Sequence, residues 1–193
     1  VDASGTVMVG GPSALYGDGV INGTVTNYGY LGGSGATPVL TINGNLTANS
    51  TLTRRLMADV VRVYQSSVLG VTNITMGSGS SIVDLQSVTL RGTTISTGAG
   101  SDVVFLDNIS SIAGGSVFNG ALSIDLGTGD DFLYAGSYPN LVGASNIFNG
   151  SVSINGGTGT DTVLIQNPAL PVGATRNNTF NGAVSLLDAE VLG

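Results

Sequence analysis

Four carboxylates are the residues of this chain whose type and spacing could support chemistry. Asp102, Asp131 and Asp161 each close a glycine-rich turn and open an apolar strand, as in Gly98-Ala99-Gly100-Ser101-Asp102-Val103-Val104, Gly127-Thr128-Gly129-Asp130-Asp131-Phe132-Leu133 and Gly157-Thr158-Gly159-Thr160-Asp161-Thr162-Val163. If these segments stack, three like charges lie ~4.8 Å apart. A Ca²⁺ ion could relieve the repulsion using oxygen ligands alone, with Asp130 and carbonyls of the glycine turns completing the set. Alternatively each Asp caps its own turn by accepting backbone N–H bonds, and capping is the preferred reading. The same carboxylates could supply the acid and base of glycoside chemistry. Such chemistry on this kind of scaffold tends to need a neighbouring cation, and only Arg91 and Arg176 lie in the relevant half. The chain contains no His and no Cys, which removes the usual general base, the commonest transition-metal ligand and the thiolate nucleophile. It is expected not to be an enzyme and to require no cofactor.

The elements that must position these acids recur. The glycine turn with its following strand also occurs as Gly33-Ser34-Gly35-Ala36-Thr37-Pro38-Val39-Leu40 and Gly77-Ser78-Gly79-Ser80-Ser81-Ile82-Val83. Versions without the glycines stand at Ala58-Asp59-Val60-Val61 and Ala189-Glu190-Val191-Leu192, so the anchors fall at 37, 59, 81, 102, 131, 161 and 190. A second phrase runs in phase: Ile21-Asn22-Gly23, Ile42-Asn43-Gly44, Leu90-Arg91-Gly92, Phe118-Asn119-Gly120, Phe148-Asn149-Gly150 and Phe180-Asn181-Gly182, with a looser copy around Gly70. Units this short cannot bury their apolar faces alone and must stack. The expected fold is all-β: a right-handed parallel β-helix, or β-solenoid, of about seven rungs of 21–32 residues, its handedness taken from the crossover rule. Ile42, Phe118, Phe148 and Phe180 should form one interior ladder, and Val39, Val61, Val83, Val104, Leu133 and Val163 another.

A single domain spans residues 1–193, with shorter rungs over 1–101 and longer ones over 102–193. The extra length, around 110–115, 135–140 and 168–173, should form loops on one flank. The segment 51–60 carries apolar residues at helical spacing, but Asp59-Val60-Val61 keeps the solenoid phase, so a strand is expected there.

Composition agrees with this architecture. Lys is absent and Glu190 is the only Glu, whereas helical surfaces depend on both; the 31 Gly and the abundant Thr, Ser, Asn and Val suit short strands and tight turns. A net charge of −7 with no basic stretch makes nucleic acid an unsuitable partner. No apolar run approaches the ~20 residues of a membrane-spanning helix. The start at Val1 is expected to reflect either a removed leader or a piece of a longer polypeptide. Seven Asn-x-Ser/Thr sequons are no more than the composition predicts. Ranks of Thr-x-Thr do not recur in phase, so an ice-binding face is not expected.

Residues 17–52, with Val20-Ile21-Asn22-Gly23-Thr24-Val25-Thr26-Asn27 and Leu40-Thr41-Ile42-Asn43-Gly44-Asn45-Leu46-Thr47, resemble the β-helical passenger region of bacterial autotransporters and filamentous adhesins. Residues 156–164 resemble the calcium-binding nonapeptide of secreted repeats-in-toxin proteins at every defined position; 126–134 and 97–105 do so with Leu126 and Thr97 replacing the first Gly. That family repeats the nonapeptide in direct tandem, whereas this chain has one copy per rung.

The first resemblance implies a secreted bacterial protein at the cell surface. Two functions stand side by side: a structural or adhesive module, polymerising end to end into filaments or a surface layer, and a carbohydrate-binding or polysaccharide-degrading β-helix. The lack of His, Lys and Trp favours the first, and Tyr134 and Tyr138 near the long loops keep the second open. End-to-end association is expected because neither terminal segment carries an evident cap. The expected partners are therefore a second copy of the chain and surface polysaccharide or other cell-surface components.

Overall fold

The computed structural model describes residues 3–9, 14–16, 19–27, 30–32, 40–42, 45–49, 59–107, 115–136, 145–165 and 178–191. All regular structure in them is β, and all pairing is parallel. The chain forms a parallel β-solenoid whose rungs present three faces. Strand β1 (Ala3–Val9) lies against the long β3 (Gly19–Asn27). The two ends of β3 start two faces of one sheet.

The first face continues through β5 (Leu40–Ile42), β8 (Ser66–Val68), β11 (Thr89–Leu90), β14 (Val117–Phe118), β17 (Ile147–Phe148) and β20 (Thr179–Phe180). The second runs through β6 (Leu46–Asn49), β9 (Thr72–Thr75), β12 (Thr93–Ser96), β15 (Leu122–Asp125), β18 (Val152–Asn155) and β21 (Val184–Leu187). A separate sheet forms the third face. It contains β2 (Ala14–Tyr16), β4 (Tyr30–Gly32), β7 (Asp59–Tyr64), β10 (Ser81–Gln86), β13 (Val103–Leu106), β16 (Phe132–Ala135), β19 (Thr162–Leu164) and β22 (Glu190–Val191).

Among the described residues, eight strands in that sheet make eight rungs, one more than the sequence count. The additional rung is the short first one, in which Ala3 sits opposite Ile21 and Ala14 opposite Tyr30. It contains no glycine-turn anchor, so the repeat pattern passes over it.

Alternation along each strand sends every second side chain inward, and stacking turns those positions into columns. Phe118 lies opposite Phe148 and Phe148 opposite Phe180. Their rings stack at centroid distances of 5.0 and 4.8 Å with interplanar angles of 9° and 7°. Ile21, Ile42, Val68 and Leu90 fill the same column in the earlier rungs. On the third face Val61, Val83, Val104, Leu133 and Val163 are buried in register, as expected. Ile74, Ile95, Ile124 and Ile154 form a matching column on the second face. At roughly 1.5–3 kcal/mol for each fully buried aliphatic side chain, these columns supply the drive for stacking.

The copy at 33–40 breaks phase. Leu40 belongs to the first face, opposite Gly19, and the third-face strand of that rung is Tyr30–Gly32, which precedes the glycines. Leu40 is thus on a different face from the strand residues of the other copies; residues 33–39, Val39 among them, lie outside the described residues. The anchor at 190 is also displaced by one: Glu190 pairs with Thr162, which places Ala189 opposite Asp161. Residues 51–58 are outside the description, and Asp59–Tyr64 is the expected strand. The three added segments begin after β13, β16 and β19, at one corner of consecutive rungs, and the parts at 108–114, 137–144 and 166–177 lie outside the described residues.

Two corners depend on glycine for different reasons. At the turn between the second and third faces, Gly98, Gly127 and Gly157 have φ of +94°, +92° and +93°, a region that side chains disfavour. These turns bridge one another through Ser78, Ala99, Thr128 and Thr158. At the corner between the first and second faces, close approach is the cause. A Cβ on Gly150 would lie 2.3 Å from the Gly120 backbone, and one on Gly120 only 2.7 Å from the Gly92 nitrogen. At Gly92 the nearest atom would be Val71 Cγ1 at 3.7 Å, an ordinary contact. Gly150→Ala should therefore destabilise the rod by about 1–3 kcal/mol, while Gly92→Ala should stay within about 0.5 kcal/mol of the parent. Denaturant melts of the two variants check this, and equal losses would contradict the packing described.

Candidate functional site

Asp102, Asp131 and Asp161 are in register and share the inward parity of Val104, Leu133 and Val163. They are 1, 2 and 1 % exposed. Each reaches one rung back: the Ser81 N–H donates to Asp102 Oδ1 at 2.7 Å, the Asp102 N–H to Asp131 Oδ1 at 2.7 Å, and the Asp131 N–H to Asp161 Oδ1 at 3.0 Å. The carboxylates do accept backbone N–H groups, but those of the preceding rung, so the expectation that each caps its own turn is corrected. Where the chain leaves the glycine turn, these N–H groups point along the rod axis, and the next carboxylate is the acceptor that meets them.

Asp130 stands outside the column. It is exposed, and its Oδ1 accepts the Thr160 N–H at 2.9 Å. The structure thus places the four acids at one corner and commits one oxygen of each to a backbone donor. The Oδ2 atoms of Asp102 and Asp131 are buried without a hydrogen-bond partner. Among the described residues no three acidic side chains gather into a group suited to a metal ion.

Burial is the main reason that the Asp131 carboxyl is pushed up from 3.8 to about 6; the Asp102 N–H opposes this, and the charges of Asp102, Asp161 and Asp130 add to it. Asp102 is raised as well, by burial against the opposing Ser81 N–H.

A second buried polar column stands at the corner between the third and first faces, and the sequence reading missed it. Val88 N–H donates to Ser116 Oγ at 3.0 Å, Ser116 N–H to Asn146 Oδ1 at 3.0 Å, and Asn146 N–H to Asn178 Oδ1 at 2.9 Å. The amide nitrogens then donate to the carbonyls of Leu106 and Ala135. Asp107 joins the column by accepting the Ser87 and Ser116 N–H groups at 2.6 and 2.7 Å. Its carboxyl is raised to about 6, chiefly by burial. The signal was present two residues before each interior aromatic, in Ser116-Val117-Phe118, Asn146-Ile147-Phe148 and Asn178-Thr179-Phe180, where parity requires an inward side chain.

Outward on the third face, Asp84 meets Arg62 directly opposite, with Arg62 Nε 3.4 Å from its Oδ2, and accepts hydrogen bonds from Tyr64 and Gln86. Tyr134, considered above as a sugar platform, is only 3 % exposed and stacks beside Phe132. It cannot serve as an open ring. Tyr138 lies outside the described residues. Among the described residues no helix is long and apolar enough to cross a membrane.

The fold and these columns define a parallel β-solenoid with buried polar side chains closing two of its three corners. Compared with known proteins, the chain matches no family profile, no curated protein and no solved structure.

The raised carboxyls fix the sign of the pH dependence. A group with a higher pKa when folded holds its proton more tightly in the folded state, so its contribution is complete below the unfolded value of 3.8 and is lost as pH rises through about 6. The melting temperature should be roughly 5 °C higher at pH 4.5 than at pH 7.5. Asp131→Asn retains an acceptor for the Asp102 N–H without a buried charge, and should raise the melting temperature at pH 7.5 while flattening the profile. Scanning calorimetry across this range is the check, and greater stability at pH 7.5 would contradict it.

Proposed function

We propose that the chain is a non-enzymatic structural or adhesive rod of a bacterial cell surface, acting without a cofactor. The observation that supports this best is the fate of its acids. Asp102, Asp107, Asp131 and Asp161 are buried and turned onto backbone N–H groups of neighbouring rungs, so the residues best suited to acid–base work are used to join rungs. The described surface offers hydroxyl and amide side chains in register, such as Asn119, Asn149 and Asn181, which hydrogen-bond along the rod.

The proposal includes end-to-end association with a second copy. What supports it is the mode of pairing: the described strands bond only in parallel, rung upon rung, and a parallel edge is a template for further strands of the same kind.

The alternative of a carbohydrate-active protein keeps one observation in its favour, the corner groove described below. Antibody labelling of intact source cells, set against permeabilised ones, tests the localisation. Label on intact cells is expected, and signal only after permeabilisation would overturn the proposal. Electron microscopy of the native protein should show rods joined at their ends, and separate single rods at high concentration would remove the association.

A further inference from the structure

The corner between the first and second faces is regular except at one rung. Between the inward residues on either side of it, most rungs place three residues: Asn119, Gly120 and Ala121 between Phe118 and Leu122, or Leu69, Gly70 and Val71 between Val68 and Thr72. The β11–β12 rung has only two, Arg91 and Gly92, between Leu90 and Thr93. Thr89 is opposite Ser67, 22 positions away, while Thr93 is opposite Thr72, 21 positions away, so the missing residue falls at this corner.

A shortened corner must cut inside the line of its neighbours, and an open groove of about 550 Å³ lies there, lined by the rungs above and below. This size is within the range of small-molecule sites. The room beside Gly92, where an added Cβ would make only ordinary contact, is a second sign of the same notch.

The groove's chemistry is one-sided. Leu69 and Val71, each 46 % exposed, give it an apolar wall. Asn45 uses its Oδ1 to accept the Val71 N–H, and Asn119 uses its Oδ1 to accept from Asn149, so both amides have their NH₂ groups left to offer. Arg91 occupies the position that holds Asn in the following rungs and forms no ion pair among the described residues, while Arg62 is paired with Asp84. The groove therefore presents donors, one cation and an apolar surface, within a chain of net charge −7.

We propose that this notch binds a single acidic sugar residue, such as a uronic acid at the end of a glycan. The carboxylate takes the Arg91 guanidinium in a bidentate pair, the ring hydroxyls accept from Asn45 and Asn119, and the C–H face of the ring covers Leu69 and Val71. A terminal residue fits better than an acidic polymer, because the net negative charge of the rod repels an extended polyanion.

The test is independent of the localisation proposed above, since it uses purified protein and reads the notch alone. Amide resonances are followed by NMR during titration with glucuronate, glucose and acetate, each up to about 10 mM. Glucuronate should produce saturable shifts centred on residues 69–71, 91–92 and 119–120, with glucose and acetate at least about tenfold weaker. Arg91→Gln, at an exposed position, should weaken glucuronate about tenfold or more while leaving the melting temperature unchanged. Gly92→Leu should block the notch by filling it. Absence of saturation by glucuronate in the parent protein, acetate or glucose binding as tightly, or undiminished binding by a folded Arg91→Gln would each overturn the proposal.

Discussion

Each rung of this rod hydrogen-bonds its neighbours through backbone groups along three faces and much of the corners. At two corners, however, particular N–H groups, those of Ser81, Asp102, Asp131, Val88, Ser116 and Asn146 among them, turn away from the carbonyls and meet side chains instead. A buried donor without a partner costs about 1–3 kcal/mol, and the cost recurs at every rung. The structure depends on meeting these donors with side chains from the following rung. At one corner the acceptors are Asp102, Asp131 and Asp161; at another they are Ser116, Asn146, Asn178 and Asp107, the last also accepting the Ser116 N–H within its own rung. Because all of these acceptors reach backward at least once, a rung is completed only when its successor is in place. That makes the stack directional and cooperative with its neighbours.

The two columns solve one geometric problem with different chemistry. Asn146 and Asn178 accept with Oδ1 and also donate to the carbonyls of Leu106 and Ala135, so both ends of the amide are used. A carboxylate offers only acceptors, and in Asp102 and Asp131 the second oxygen is left buried with nothing to meet it. Burial then drives these carboxyls toward their protonated form, and the neighbouring negative charges in the column add to the effect at Asp131. Asp107 in the amide column is raised in the same way, but both of its oxygens accept N–H groups.

Parity and period made much of this legible in the sequence. The interior ladder from Ile42 through Phe118, Phe148 and Phe180 follows from the spacing of the Asn-Gly phrase, because the residue before it must point inward. The Asp column follows from the glycine turns in the same way. Three features did not follow. The phrase at 33–40 has the same letters as the true turns, but its Leu40 falls on the first face, and only strand pairing distinguishes it. The amide column was hidden because Asn beside Phe reads as turn composition until parity places it indoors. The notch at Arg91 and Gly92 arises from one absent residue, which a repeat of varying length conceals unless both flanking registers are known.

The central claim is that each acidic side chain of the buried column, Asp102, Asp131 and Asp161, holds the backbone of the preceding rung. Amide hydrogen exchange in Asp131→Ala, compared with the parent protein, measures this directly. The Asp102 N–H should lose protection, because its acceptor is gone, while the amide of residue 131 stays protected by Asp161. Unchanged protection at Asp102, or a loss confined to the substituted rung, would contradict the account.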